Sequence, residues 1–460
     1  MSLRLKKTGI AALALFAPLF LWFLIHRSGA PEEKYRKTWS GRTFEAETAI
    51  ERRPAESAAT PGFDLERAWS GQDDWEPALA VDRSSNDVYQ LTTRFSGPKP
   101  CSACPLPVIV FRRSSDGGAT WASDRFLAAS FRRQADPEIE VAGNGVLYAA
   151  FLSGWDLAFT RSADHGKTWS KPLIVAGVRD AGGYADKPIL AVSADGVHVY
   201  IGFNAGDAYV SASHNSGRTF SSPVRISRTG RTWFHTGGAV GADHSVYFST
   251  TDFGSEYQGD ANVRFSKSTD FGRTWTVTLV DTSREQPECS SVPGCYFGFL
   301  GPSAAMAVDP TGKIMIAYHA NSVAGAPQKM YIRASLDGIH WTPRKQVSVG
   351  AASVNNAFPA LAAGTAPGDF RVAWQDDRNG AMTSWNTWMR RTRDGGQTWS
   401  AAIRLSNRPS GAPYKKSTGF AFPYGDYFEL AVAADGRNHI IWGEGASYNG
   451  PGGCWYTRGN

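Results

Sequence analysis

The chain has 460 residues, including 48 Gly, 16 Trp and 25 Phe, and only 20% of it is charged. That composition excludes a collagen-like, coiled-coil or wholly disordered protein, and suits many short strands joined by tight turns. The net charge of +6 sits mostly before residue 63, leaving 38 positive against 36 negative charges in the remainder, which gives no electrostatic reason to expect nucleic acid.

In chain order, Arg4, Lys6 and Lys7 precede the uncharged stretch Gly9–Ile25, at the short limit for a membrane-spanning helix. Ser28-Gly29-Ala30 has the small residues of a signal-peptide cleavage site, but Pro31 would follow the cut. The reading adopted is an uncleaved anchor over residues 1–30, a polar linker over 31–62 and one domain over 63–460 outside the cytoplasm.

Seven apolar runs follow: WEPALAVD from Trp75, DPEIEVAGNG from Asp136, DKPILAVSADG from Asp186, HTGGAVGADH from His235, PSAAMAVDPTG from Pro302, FPALAAG from Phe358 and DYFELAVAADG from Asp426. Near-continuous apolarity suits strands buried on both faces. Interleaved with them is a repeated turn: SSDGGATW from Ser114, SADHGKTW from Ser162, SHNSGRTF from Ser213, STDFGRTW from Ser268, SLDGIHW from Ser335 and TRDGGQTW from Thr392. Its spacing is that of a four-stranded propeller blade. Asp116 and its equivalents are expected to bond backbone N–H groups two residues on, and Gly118 to supply a positive φ. The closing Trp is expected to plug the blade.

The fold class is therefore all-β: a seven-bladed β-propeller, with six blades as the alternative. Only 34 residues follow Asp426, so the last blade should borrow its fourth strand from Phe63–Trp69, closing the ring. A monomer is expected. Five cysteines in an exported domain are disulfide candidates. Cys289 is set to pair with Cys295, and Cys454 to bridge to Cys101 or Cys104 across the closure.

Aligning the seven runs places Glu76, Asp136, Lys187, His235, Ser303, Phe358 and Tyr427 in one ring, preceded by Trp75, Asp186 and Asp426 among others. These residues would crowd the mouth of the central channel, where carboxylates, an ammonium and aromatic platforms make a convergent pocket. Opposed carboxylates there would push their pKa values apart, as acid–base chemistry requires. Glu76, Asp136, Asp186 and Asp426 would also suit Ca²⁺, although spacing alone assigns no metal and no cofactor is claimed. Arg133, Arg231 and Arg378 lie in loops of the same face and are candidates for gathering around an anion.

The repeated turns and the propeller they mark resemble the sialidase superfamily, the Asp-box or BNR-repeat proteins, from about Glu76 to the C-terminus. The resemblance implies a glycan partner. It also implies an exo-sialidase type of site, with three arginines on the sugar carboxylate, a tyrosine nucleophile activated by a glutamate, and an aspartate as acid and base. On this chain the ring alignment, not a matched motif, offers Tyr427 with Glu429 as nucleophile and base and Asp186 or Asp136 as the acid. Trp75, Lys187, His235, Phe358 and Asp426 would contact the sugar. The Phe/Tyr-Arg-Ile-Pro motif that carries the first arginine is missing; YRKTW at Tyr35 and FRRS at Phe111 are the nearest strings. The alternative is a non-catalytic interaction platform in the cell envelope.

Overall fold

The innermost strands of the domain are Asp73–Val81, Gln134–Val141, Asp186–Val192, Thr232–Val240, Ala304–Val308, Asn356–Ala363 and Phe428–Val432. Each of the seven runs read from the sequence overlaps one. The computed structural model describes residues 59–289, 301–408, 411–413, 428–445 and 452–460, apart from positions 182, 184, 228, 229, 255, 256, 258, 380, 381 and 383. Each innermost strand starts an antiparallel four-stranded sheet, and the seven sheets form a seven-bladed propeller. Blade six adds Ala412–Pro413 beside its third strand.

Closure runs as the shortage of C-terminal residues predicts. Phe428–Val432, Asn438–Gly445 and Gly452–Gly459 form three strands of blade seven, and Arg67–Ala68 supplies the fourth. Phe63 bridges to Gly459 just beyond it. The two ends of the domain are thus hydrogen-bonded into one sheet, which removes an open edge.

The six repeated turns join the third and fourth strands of blades one to six. In the first, the Ser114 hydroxyl donates to Asp116 Oδ1 at 2.7 Å and accepts from the Gly118 amide at 2.8 Å. Asp116 accepts from the Thr120 amide at 2.9 Å. The Asp therefore caps an amide four residues on, not two, because its carboxylate spans the whole turn; Asp164, Asp270 and Asp394 do the same. The position before the glycine is left-handed as well, even where it is His165 or Phe271, at φ 59° and 61°.

The glycine answers to two constraints. Gly166 has φ +77°, and a Cβ there would stand 2.4 Å from the Phe111 ring of the preceding blade. Trp169, closing the same turn, meets that ring edge-on at 5.3 Å. Trp121 likewise sits between Trp69 and Tyr456 of blade seven. The repeat is thus an inter-blade staple, and the aromatic plugs its neighbour.

Cys101 and Cys104 are bonded to each other, and Cys454 is a free, buried thiol. The bridge expected across the closure is not formed: the Cys454 thiol donates instead to the Asp74 carbonyl at 3.2 Å, joining blades seven and one without a covalent bond. Cys289 is disulfide-bonded, while Cys295 lies outside the described residues. So does Gly9–Ile25; among the described residues no helix is long and apolar enough to cross a membrane.

Candidate functional site

Four of the seven innermost strands begin with the same backbone anomaly. Glu76, Asp136, Lys187 and Phe358 have φ of 53°, 51°, 45° and 53°. All are non-glycine residues in the left-handed region, and Pro77, Pro137, Pro188 and Pro359 follow them. A residue before proline is normally pushed towards extended backbone, so these positions are strained twice over. Each coincides with a break in the ladder: pairing skips from Trp75 to Ala78, Ala135 to Glu138, Asp186 to Ile189 and Ala357 to Ala360. Such bulges re-aim a side chain out of the sheet. The sequence alignment places the same four residues at one level of the ring.

Glu76, Asp136 and Asp186 are buried, Lys187 and Phe358 partly so. Blades one and two meet directly here, since Glu76 Oε2 accepts the Asp136 amide at 2.9 Å. Phe358 packs near His319 and Trp385, with centroids 6.3 and 6.4 Å away.

Among the described residues two aligned positions, His235 and Ser303, lack this left-handed step. In blade four the ladder break falls at Thr236 alone, so His235 stays in the sheet and turns between blades. It meets Phe248 edge-on, and a Cβ on Gly202 of blade three would fall 2.6 Å from its Nδ1. Burial lowers its pKa to about 3, which leaves a neutral imidazole in place of a titrating group. Trp75 is fully buried and donates its indole N–H to Asp73 at 2.7 Å, so it has no open face for a sugar. Tyr427 and Asp426 lie outside the described residues.

The three arginines do not gather. Arg231 is taken by Asp252, which also holds Arg264. Arg378 is fixed on Asp376 and stacks on Trp388, 3.8 Å from the ring centroid. Arg133 is exposed at the start of blade two. They belong to blades four, six and two, and two of the three already have buried carboxylate partners.

Below the mouth lies a set of acids that the alignment of strand starts does not single out. Glu138 and Glu140 come from blade two and Glu429 from blade seven, with blade one between them. Burial, Glu429 and Glu140 together hold the Glu138 carboxyl well above its ordinary range. Only the central channel lets side chains of blades two and seven sense each other so strongly. Burial raises Glu140 to about 7, and burial with Glu140 raises Glu429 to about 8. That shift favours a protonated Glu429 over the free carboxylate that a tyrosine nucleophile needs. Arg83, from blade one, closes the far end by donating to the carbonyls of Val432 and Ala363, at 3.0 and 2.8 Å.

Two signals in the sequence mark these sites. The X–Pro step recurs at one distance from the end of four innermost strands. Glu138, Glu140 and Glu429 are charges inside runs that otherwise read as core.

No protein-family model matches the sequence, and no curated protein does. Among solved structures the chain is similar to a PL25 ulvan lyase bound to -[GlcA(1-4)Rha3S]-, at 14% identity over 88% of this chain and 95% of that one, with a TM-score of 0.51. It is also similar to the Hadza microbial sialidase Hz136, at 14% identity over 77% of this chain and 73% of that one, TM-score 0.47. The Trypanosoma rangeli sialidase gives 14% identity over 84% of this chain and 55% of that one, TM-score 0.42. At this identity the ulvan lyase match speaks to the shared propeller alone and leaves the chemistry to the residues.

Proposed function

We propose that this propeller binds and cleaves a glycan at its channel mouth. The observation that carries the reading is the set of four strained, proline-followed residues at one level of the ring. Strain of about 1–3 kcal/mol at each such position persists only where surrounding structure enforces it, and it clusters at active sites and ligand clamps. The side chains involved are two carboxylates, an ammonium and an aromatic ring, a set suited to a hydroxyl-rich ligand.

Glycosidic cleavage needs one carboxyl to protonate the leaving oxygen and a second group to attack or to activate water. In this reading Glu76 and Asp136 from adjacent blades are that pair. Asp186 is the alternative acid, Lys187 orients the substrate and Phe358 stacks on it. Because Arg231 and Arg378 are committed to Asp252 and Asp376, the favoured substrate is a neutral glycan over a sialoside. Tyr427 remains a candidate nucleophile, with Glu429 as a proton donor below pH ~8. The Cys101–Cys104 disulfide supports an oxidising compartment, and the reading keeps the domain anchored by residues 9–25 on the extracytoplasmic side.

The test is turnover of a panel of fluorogenic neutral glycosides, with an α-sialoside included, by the wild type and by Glu76→Gln and Asp136→Asn. Hydrolysis lost in both variants supports the assignment. Absence of both turnover and glycan binding would sink it, and would favour the interaction platform, a reading that the charge pairing at Arg231 and Arg378 also fits.

A further inference from the structure

The face opposite the mouth carries the turns between first and second strands and the repeated turns between third and fourth. On it, at the seam of blades three and four, three of the nine histidines of the chain come together with Phe271. His198 precedes the second strand of blade three and His214 follows its third strand. Val199 pairs with Ser213 in that ladder, so His198 and His214 are the next cross-strand couple outward. Cross-strand neighbours at such a step hold their Cβ atoms about 4.5–5.5 Å apart, close enough for both rings to reach one point. They do so: the two Nδ1 atoms stand 3.0 Å apart. His244, from the first turn of blade four, lies edge-on to His198 with centroids 5.7 Å apart.

We infer that His198 and His214 form a two-histidine site for a divalent transition metal, distinct from the channel mouth and independent of any glycan. A metal–imidazole bond is about 2.0–2.1 Å, so nitrogens 3.0 Å apart subtend roughly 90–95° at an ion shared between them. That is the cis angle of a tetragonal or octahedral centre. It favours Cu²⁺ or Ni²⁺, which are also ahead of Zn²⁺ or comparable to it in affinity for nitrogen ligands. Imidazole binds metal as the neutral base, so protons compete with the ion at this site. The Asp195 carboxylate interacts with His198 and His244 and offsets part of the ion's charge. Among the described residues no group of three His, Cys, Asp or Glu is placed to hold a metal, so water fills the remaining positions and the site is open.

The alternative is a plain imidazole–imidazole hydrogen bond, and metal titration separates the two. The full chain, purified without a polyhistidine tag, is titrated with NiCl₂ by calorimetry at pH 7.5 and 5.5. Cu²⁺ binding is followed by electron paramagnetic resonance. The expected result is one saturable site per chain at pH 7.5, strongly weakened at pH 5.5, with nitrogen hyperfine structure on the copper signal. His198→Ala and His214→Ala should each weaken binding at least tenfold, while His244→Ala should change it less than threefold. Unchanged melting in EDTA verifies that these surface variants fold. Absence of a saturable one-to-one step, or wild-type binding by the His198→Ala/His214→Ala double variant, overturns the assignment.

Discussion

Replacing Glu140 by Gln tests whether the channel acids are as buried as their positions imply. Burial raises the Glu140 carboxyl from 4.5 to about 7 in the folded protein. A folded group that holds its proton more tightly than the unfolded chain leaves stability intact below pH 4.5. Stability is then lost as pH rises through 7. Each tenfold in proton affinity is worth about 1.4 kcal/mol, so full burial corresponds to a loss of about 3 kcal/mol by pH 8. The Glu140 side chain keeps partial exposure to solvent, and that screening reduces the expected loss to about 1.5–3 kcal/mol. Glutamine keeps the shape and cannot ionise. Denaturant unfolding of the wild type and Glu140→Gln at pH 5 and pH 8 isolates the effect, because other titrating groups cancel in the difference. The variant should exceed the wild type by less than about 1 kcal/mol at pH 5 and by about 1.5–3 kcal/mol at pH 8. An equal difference at both values would show that Glu140 titrates normally, and the channel would have to be wide and wet.

Gly166→Ala forces a Cβ into the left-handed region and 2.4 Å from Phe111; a loss of about 2–4 kcal/mol, read as a lower denaturant midpoint, combines backbone and overpacking terms. Arg94→Ala strands the buried Asp74, whose carboxylate it holds through two bonds of 2.8 Å, and should destabilise by about 3–5 kcal/mol, with less loss in the Arg94→Ala/Asp74→Asn double variant. Cys454 is buried with its thiol pKa pushed well above the ordinary value, so thiol reagents should label nothing at position 454 in the native protein and label it fully in denaturant. Lys187→Gly should stabilise the fold, because glycine accepts a φ of 45° without strain, while weakening glycan binding; loss of both stability and binding would contradict the strained-site reading.

The architecture was legible because each blade repeats two local signals that need no partner to be read. A Ser-x-Asp-x-Gly turn fixes its own hydrogen bonds, and an innermost strand is apolar on both faces because both faces meet a blade. Even the borrowed strand at Arg67–Ala68 follows from counting residues after Asp426. The site was legible only as a ring of positions. What a ring residue does depends on the ladder break beside it, and alternation patterns do not carry that information. Asp136 and His235 align perfectly, yet a two-residue skip re-aims the first while a one-residue skip leaves the second wedged against Phe248. The partner of Arg231 was hidden for another reason: Asp252 is 21 residues away, and only blade geometry brings them together.

The two faces of this propeller use the left-handed region in opposite ways. In the repeated turns it is relieved by glycine and by a carboxylate cap, as at Asp116, Gly117 and Gly118. At the mouth it is imposed on Glu76, Asp136, Lys187 and Phe358, with proline following each. Both halves obey the same sterics, so the difference lies in what the side chain is needed for. Where only the turn matters, glycine takes the last left-handed position of each copy, though His165, Ser216 and Phe271 hold the one before it with a side chain and no proline follows them. At the mouth a charged or aromatic side chain is retained at a position that glycine would fill with less strain, and folding stability is lower for it. That contrast, internal to one chain, is the argument for placing function at the channel mouth.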